Sequence, residues 1–227
     1  MDSLHRVTSI HNSTFCLDLD MADIVGHDLP HWRFYMTLEE DLEKCFRFIP
    51  LAQDHHNVYS DEFAKIILLA ATEFENTLQE FKFWSQISYP ENSSISENIT
   101  GYYIGVTNVF PNIVSMQMIM PRYSLMFSPL SDWSNLSGPD WWAKGYNKIK
   151  HGRLENPTAP TMIRALKAVG ALQVLLLHYY RLRYKKVSIP WMIASSLIVP
   201  YDVEDQSHGA FINWVWELPD DPKETFK

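Results

Sequence analysis

Trp141-Trp142-Ala143-Lys144-Gly145-Tyr146-Asn147-Lys148-Ile149-Lys150-His151-Gly152-Arg153 is the stretch whose reading decides how this chain is understood. Pro139, just before it, suits the first turn of a helix, where a missing N–H costs nothing. The stretch therefore reads as a helix reaching about Arg153, with Pro157 and Pro160 interrupting the chain beyond it. On that helix Trp142, Tyr146, Ile149 and Arg153 fall near one line, and Trp141, Lys144, Asn147, Lys148 and His151 near another. Asn147 and His151 are one turn apart and share a face. His151 also lies near the helix C-terminus, where the dipole favours positive charge. An imidazole, a carboxamide and two or three ammonium groups on one exposed face can cradle a phosphate, with lysine acting as a point charge rather than as arginine's planar fork.

The charge around this stretch is lopsided. Residues 141–186 carry ten basic side chains and one acid, Glu155, for a sum of +9, while the whole chain is −8 and the remainder therefore −17. An acidic surface argues against broad, non-specific nucleic-acid binding but leaves room for one local basic site. The competing expectation is internal neutralisation, by the acidic run Glu39, Glu40, Asp41 and Glu43 or by Glu73, Glu75 and Glu80.

Length and composition set the frame. The chain has 227 residues, of which 46% are hydrophobic, enough for one large domain or a domain with an appendage. Cys16 and Cys45 match no zinc or redox spacing, which points to a reducing, cytoplasmic setting. The polar first ten residues do not read as a signal peptide. The longest apolar run, residues 168–180, is short of the ~20 residues a bilayer span needs and reads as a core helix, so no membrane partner is expected. His27 and His31, with Asp23 and Asp28, superficially suggest a metal, but Pro30 lies between them and should break the helix that would align them, so no metal is expected. Gly-rich phosphate loops, Gly-x-Ser-x-Gly elbows and zinc-protease helices are absent, and no cofactor is expected.

Periodicity supplies the elements. Residues 1–35 read as loop with one short element. A helix is expected over 38–48, ended by Pro50, and another over 60–84, with Ser60 as N-cap and Asp61 and Glu62 in its first turn. Ser94 and Glu97 form a capping box before a helix reaching about Asn108. Residues 113–120 and 123–127 read as a small β-hairpin. A long helix follows over 161–184, its polar side drawn by Arg164, Lys167, His178, Arg181 and Lys185. Strands are expected over 192–199 and 210–218. The fold class is mainly α, with one inserted and one C-terminal β-hairpin.

Trp141-Trp142-x3-Tyr146-Asn147-x2-Lys150-His151-x-Arg153, followed by a long Ala/Leu helix, resembles the HEPN domains, small helical modules common in bacterial toxin–antitoxin, abortive-infection and phage-defence proteins. Catalytic members carry Arg-Asn-x3-His or a close variant on one helix; here Asn147 and His151 match, and Tyr146 stands in place of the arginine. The upstream helix with Ala71-Thr72-Glu73-Phe74-Glu75 matches the partner arm of the hairpin. The resemblance implies an antiparallel helix bundle; with the strands read from periodicity, the domain is expected over residues 1–186, its β insertion at about 113–127, and a β-containing extension over 187–227. It implies a homodimer whose two motifs meet across a two-fold axis, and RNA as the target of a metal-independent endoribonuclease. His151 would then be the acid or base, and Asn147 would orient it or a phosphate oxygen. Lys144 or Lys150, without bidentate geometry, would supply charge that Tyr146, neutral at ordinary pH, cannot, with Lys150 counted beside Asn147 and His151. Lys144, Lys148, Arg153, Arg164 and Lys167 would bind RNA phosphates, while Trp142 and Tyr146 would be structural.

The alternative is a non-catalytic HEPN-like dimerisation or protein-interaction module, whose basic helix pair holds a second subunit or a partner protein. Trp141 and Trp142 are expected as packing anchors, one facing the core and one a partner. Glu73 is a further polar group on the neighbouring arm, either solvated or reaching the site.

Overall fold

Residues 29–184 and 197–201 are described by a computed structural model. Among them are five α-helices, α1 (Pro30–Phe46), α2 (Asp61–Ser85), α3 (Ile99–Val109), α4 (Asn147–Gly152) and α5 (Met162–Tyr184). Three short strands complete the order, β1 (Gln117–Met120), β2 (Leu125–Phe127) and β3 (Val199–Tyr201).

α5 is the axis of the protein. Every residue over 168–180 is buried, because α1 and α2 both pack against the helix and a helix surrounded on all sides must be apolar all round. By length and composition alone it could cross a membrane, but 83% of its apolar window is buried inside this protein. His178, expected on a polar side, is in the core: its Nδ1–H donates to the Val174 carbonyl at 2.7 Å and its ring meets Phe110 edge-on. Burial pushes this imidazole down to about 4, so it is neutral.

α2 begins as the sequence indicates. The Ser60 hydroxyl accepts the Phe63 N–H at 3.1 Å, and Asp61 and Glu62 occupy the first turn. The starts of α2 and α5 are tied by an antiparallel bridge between Tyr59 and Thr161 and by the Met162 N–H donating to the Val58 carbonyl.

α1 departs from expectation: it starts at Pro30, not at 38. Pro30 occupies the first helical turn, where its fixed φ helps and its missing N–H is not needed, so it opens the helix instead of breaking it. Trp32, Tyr35, Leu38, Leu42 and Phe46 form the buried stripe, with the charged Glu39 among them. α3 also starts later than expected. Its cap is Asn98, whose Oδ1 accepts the Gly101 N–H at 2.8 Å, while Ser94 lies in a preceding 3₁₀ turn and Glu97 pairs with Lys82 instead.

The inserted hairpin forms an antiparallel sheet of order β2-β1-β3 with a third strand that coincides with the expected strand over 192–199 only at Val199. Met118 faces Phe127 on one side and Pro200 on the other. Residues 113–115 form a 3₁₀ turn instead of strand. Ser124, at φ 49, makes the left-handed step that returns the chain into β2. Two buried side chains hold the approach to β3: Glu39 accepts the Ile198 N–H at 2.9 Å, and Gln173 donates to the Ile198 carbonyl at 2.7 Å. The expected strand over 210–218, and residues 192–196 of the one before it, lie outside the described residues.

Candidate nucleic-acid interface

Residues 141–146 are helical but not α-helical. The Asn147 N–H reaches back five residues to the Trp142 carbonyl, and Trp141–Tyr146 forms a π turn. A wider turn places more residues on one side, and Trp141, Trp142, Gly145 and Tyr146 all face the core. This corrects the expectation that one tryptophan faces a partner. Trp141 is fully buried; its indole N–H donates to the Pro129 carbonyl at 3.1 Å and its ring stands edge-on to Phe74. Trp142 packs between Phe74 and Tyr146. At Gly145 the turn lies against Arg164 of α5: an added Cβ would stand 3.4 Å from its Cδ.

From Asn147 the helix is α, so Asn147 and His151 do share a face. His151 is exposed and Asn147 half-buried, and neither side chain has a hydrogen-bonding partner among the described residues. Ile149 turns inward. Lys150 folds back on Tyr146, its Nζ donating to the phenol oxygen at 3.0 Å and lying 5.0 Å from the ring centroid. That hydrogen bond, supported by the charge of Glu75, holds the lysine above its ordinary value, so it remains an ammonium.

The other basic residues divide into two groups. Lys144 and Arg164 converge on the two oxygens of Asp140, at 2.9 and 2.8 Å, and Arg164 also donates to the Ala159 carbonyl. Burial pulls the Asp140 carboxyl up, but the hydrogen bonds from Arg164 and Lys144 outweigh it and leave the group lowered. Arg153 lies 3.4 Å from Asp61, with both side chains well exposed, a pairing of little energetic weight. Lys148, exposed, and Lys167, partly so, have no ionic partner among the described residues. Among the described residues the acids that pair with the basic stretch are thus Asp140, Asp61 and, of the expected set, Glu80, which lies 3.7 Å from Arg183. The acidic run on α1 pairs elsewhere: Asp41 with Lys44 and Lys65, and Glu43 with Arg122, while Glu39 is buried at Ile198.

Glu73 does not approach the motif. Its Oε1 lies 2.5 Å from His31 Nδ1, and His31 Nε2 lies 3.1 Å from Glu80 Oε1. Glu80 in turn accepts the Tyr179 hydroxyl, and Arg183 donates to the Tyr179 oxygen at 2.7 Å. The sequence reading missed this group of five residues. Its one local signal is that Glu73 and Glu80 lie two helical turns apart and so point the same way. His27 lies outside the described residues, and no group of potential metal ligands occurs among those described. No family model matches the chain, and neither a curated protein nor a solved structure matches it.

Proposed function

We propose that this chain is an HEPN-like RNA-binding protein that acts through the α4 face carrying Asn147, Lys150 and His151, with two copies meeting across that face. The observation that carries the reading is the pair Asn147 and His151, one α-turn apart, both without internal partners among the described residues, beside the ammonium groups of Lys148 and Lys150. Polar groups that the fold leaves unsatisfied are available to a ligand. Lys167 adds charge from α5. Lys144 and Arg164 are already shared with Asp140, so the phosphate contacts are fewer than the basic stretch suggests, while Arg153, only loosely paired with Asp61, stays available.

Cleavage is a second reading, favoured by Lys150. Tyr146 stands where catalytic HEPN domains carry arginine, and the Lys150 ammonium sits 3.0 Å from its oxygen. His151 would move the proton and Lys150 would face the developing charge.

Purified protein, mixed RNA and a salt series test both. Contacts by three lysines correspond to a slope of about −2 in log affinity against log salt for single strands. His151→Ala and Lys148→Ala should each weaken binding several-fold, and chelator-resistant cleavage lost in His151→Ala establishes the enzyme. No mobility shift at high protein concentration and low salt would leave only an assembly module, for which the exposed Leu154 beside the motif is the contact to test first.

A further inference from the structure

The N-terminal turn of α1 is poorly secured by its own sequence. It has no side-chain cap and no acidic residue in its first turn, and it begins with a proline and a histidine. A protonated histidine there opposes the positive end of the helix dipole. What holds the turn is tertiary: the Trp32 N–H donates to the Tyr180 hydroxyl at 3.2 Å, and His31 is gripped from both sides by α2.

The grip has a chemical condition. Both ring nitrogens of His31 face carboxylate oxygens, Nδ1 toward Glu73 at 2.5 Å and Nε2 toward Glu80 at 3.1 Å. Carboxylates only accept, so both contacts are hydrogen bonds only when both nitrogens carry protons. A neutral imidazole has one N–H, and its other nitrogen then points a lone pair at a carboxylate.

We propose that His31 is a pH-operated latch on the N-terminal turn of α1, closed while the imidazole holds both protons and open once it has lost one. Among the described residues the groups that face it are Glu73 and Glu80 from α2 and, from α5, Tyr179, whose ring meets the imidazole edge-on at 5.7 Å, with Arg183 behind it on Glu80 and Tyr179. The hydrogen bond to Glu73 dominates and raises the imidazole above its ordinary 6.5, burial works against it, and Glu80 adds to the rise. A base raised by folding contributes stability that is complete below 6.5 and is lost as pH climbs through its folded value. The latch therefore opens toward alkaline pH. Tyr179 stays protonated throughout, since burial and Glu80 push it upward. When the latch opens, the first turn of α1 loosens from α2 and α5.

Amide hydrogen exchange on the full chain tests this, at about pH 6 and about pH 8.5, corrected for the intrinsic pH dependence of exchange. The Trp32 and Arg33 amides should lose about tenfold in protection at the higher pH, while Ile66 and Ile67 in α2 keep theirs. His31→Gln, with no titrating ring, should be weakly protected at both pH values. Glu80→Gln, whose amide can donate to a bare ring nitrogen, should be protected at both. Equal protection of the wild-type turn at both pH values overturns the proposal, and so does the same pH response in His31→Gln. Ring ¹⁵N shifts give a check that needs no variant: an imidazole already neutral at about pH 6 ends the idea.

Discussion

The Glu39 carboxylate accepts the backbone N–H of Ile198 at 2.9 Å, from within the core, and so ties the first described helix to the approach to the last described strand. The same oxygen accepts the Tyr35 hydroxyl at 2.5 Å. Burial pushes Glu39 up, while Tyr35 and the Leu197 and Ile198 N–H groups pull it part of the way back. A carboxyl that folding raises binds its proton more tightly in the native state. Its ionisation therefore erodes stability as pH rises from the unfolded value of 4.5 through the folded one. Glu39→Gln keeps an acceptor and removes the charge, so it should cost less than about 1 kcal/mol near neutrality and flatten the pH dependence. Glu39→Ala takes the acceptor from the buried Ile198 N–H and from its Tyr35 and Leu197 donors, and should cost at least about 1–3 kcal/mol. Urea melts of both variants at acidic and neutral pH check the pair.

Trp141 is the anchor of the π turn. Trp141→Ala should cost about 3–5 kcal/mol through the cavity beside Phe74. Trp141→Phe fills most of that volume but strands the Pro129 carbonyl, and should cost about 1–3 kcal/mol. Thermal unfolding orders the two.

Gly101 is held by a close approach. A Cβ there would lie 2.2 Å from the Ser96 carbonyl oxygen, a backbone atom that cannot step aside cheaply. Gly101→Ala gains about 1 kcal/mol of helix propensity, yet should destabilise the protein by about 1–3 kcal/mol through overpacking. A higher melting temperature for the variant would refute this contact.

Placing at position 146 the arginine that catalytic HEPN domains carry should fail. Tyr146 is 4% exposed and packed on Trp142, and Tyr146→Arg puts a guanidinium into that pocket. The expected result is a loss of several kcal/mol and no gain in RNA cleavage. A stable, more active Tyr146→Arg protein would mean that the pocket opens to solvent.

The sequence made the helices with strong local signals legible. Ser60, Asp61 and Glu62 announced α2, and the apolar run over 168–180 announced a core helix. α1 was half hidden because Pro30 reads equally as a breaker or an opener, and because a glutamate at position 39 argues against a buried face until its partners, 4 and 159 residues away, are known. The same distance hid the His31 group, which joins residues from three helices. At the motif, the i, i+4 relation of Asn147 and His151 was readable, but the π turn before them was not: a five-residue hydrogen-bond step leaves no mark in composition, and it moved both tryptophans to the core. Which basic side chains were already paired was likewise a tertiary matter, decided by Asp140, one position outside the basic stretch.

That wide turn has a consequence for which length changes the helix can absorb. It holds one residue more than an ordinary helical turn would. The surplus works as slack between the tryptophan anchor and everything beyond it. Delete Ala143 and Asn147 stands four residues after Trp142, the ordinary helical step, so Ile149 keeps its seat in the interior and His151 its place outside. Delete Lys148 instead, where no slack exists, and Lys150 inherits the seat of Ile149 while His151 inherits the place of Lys150.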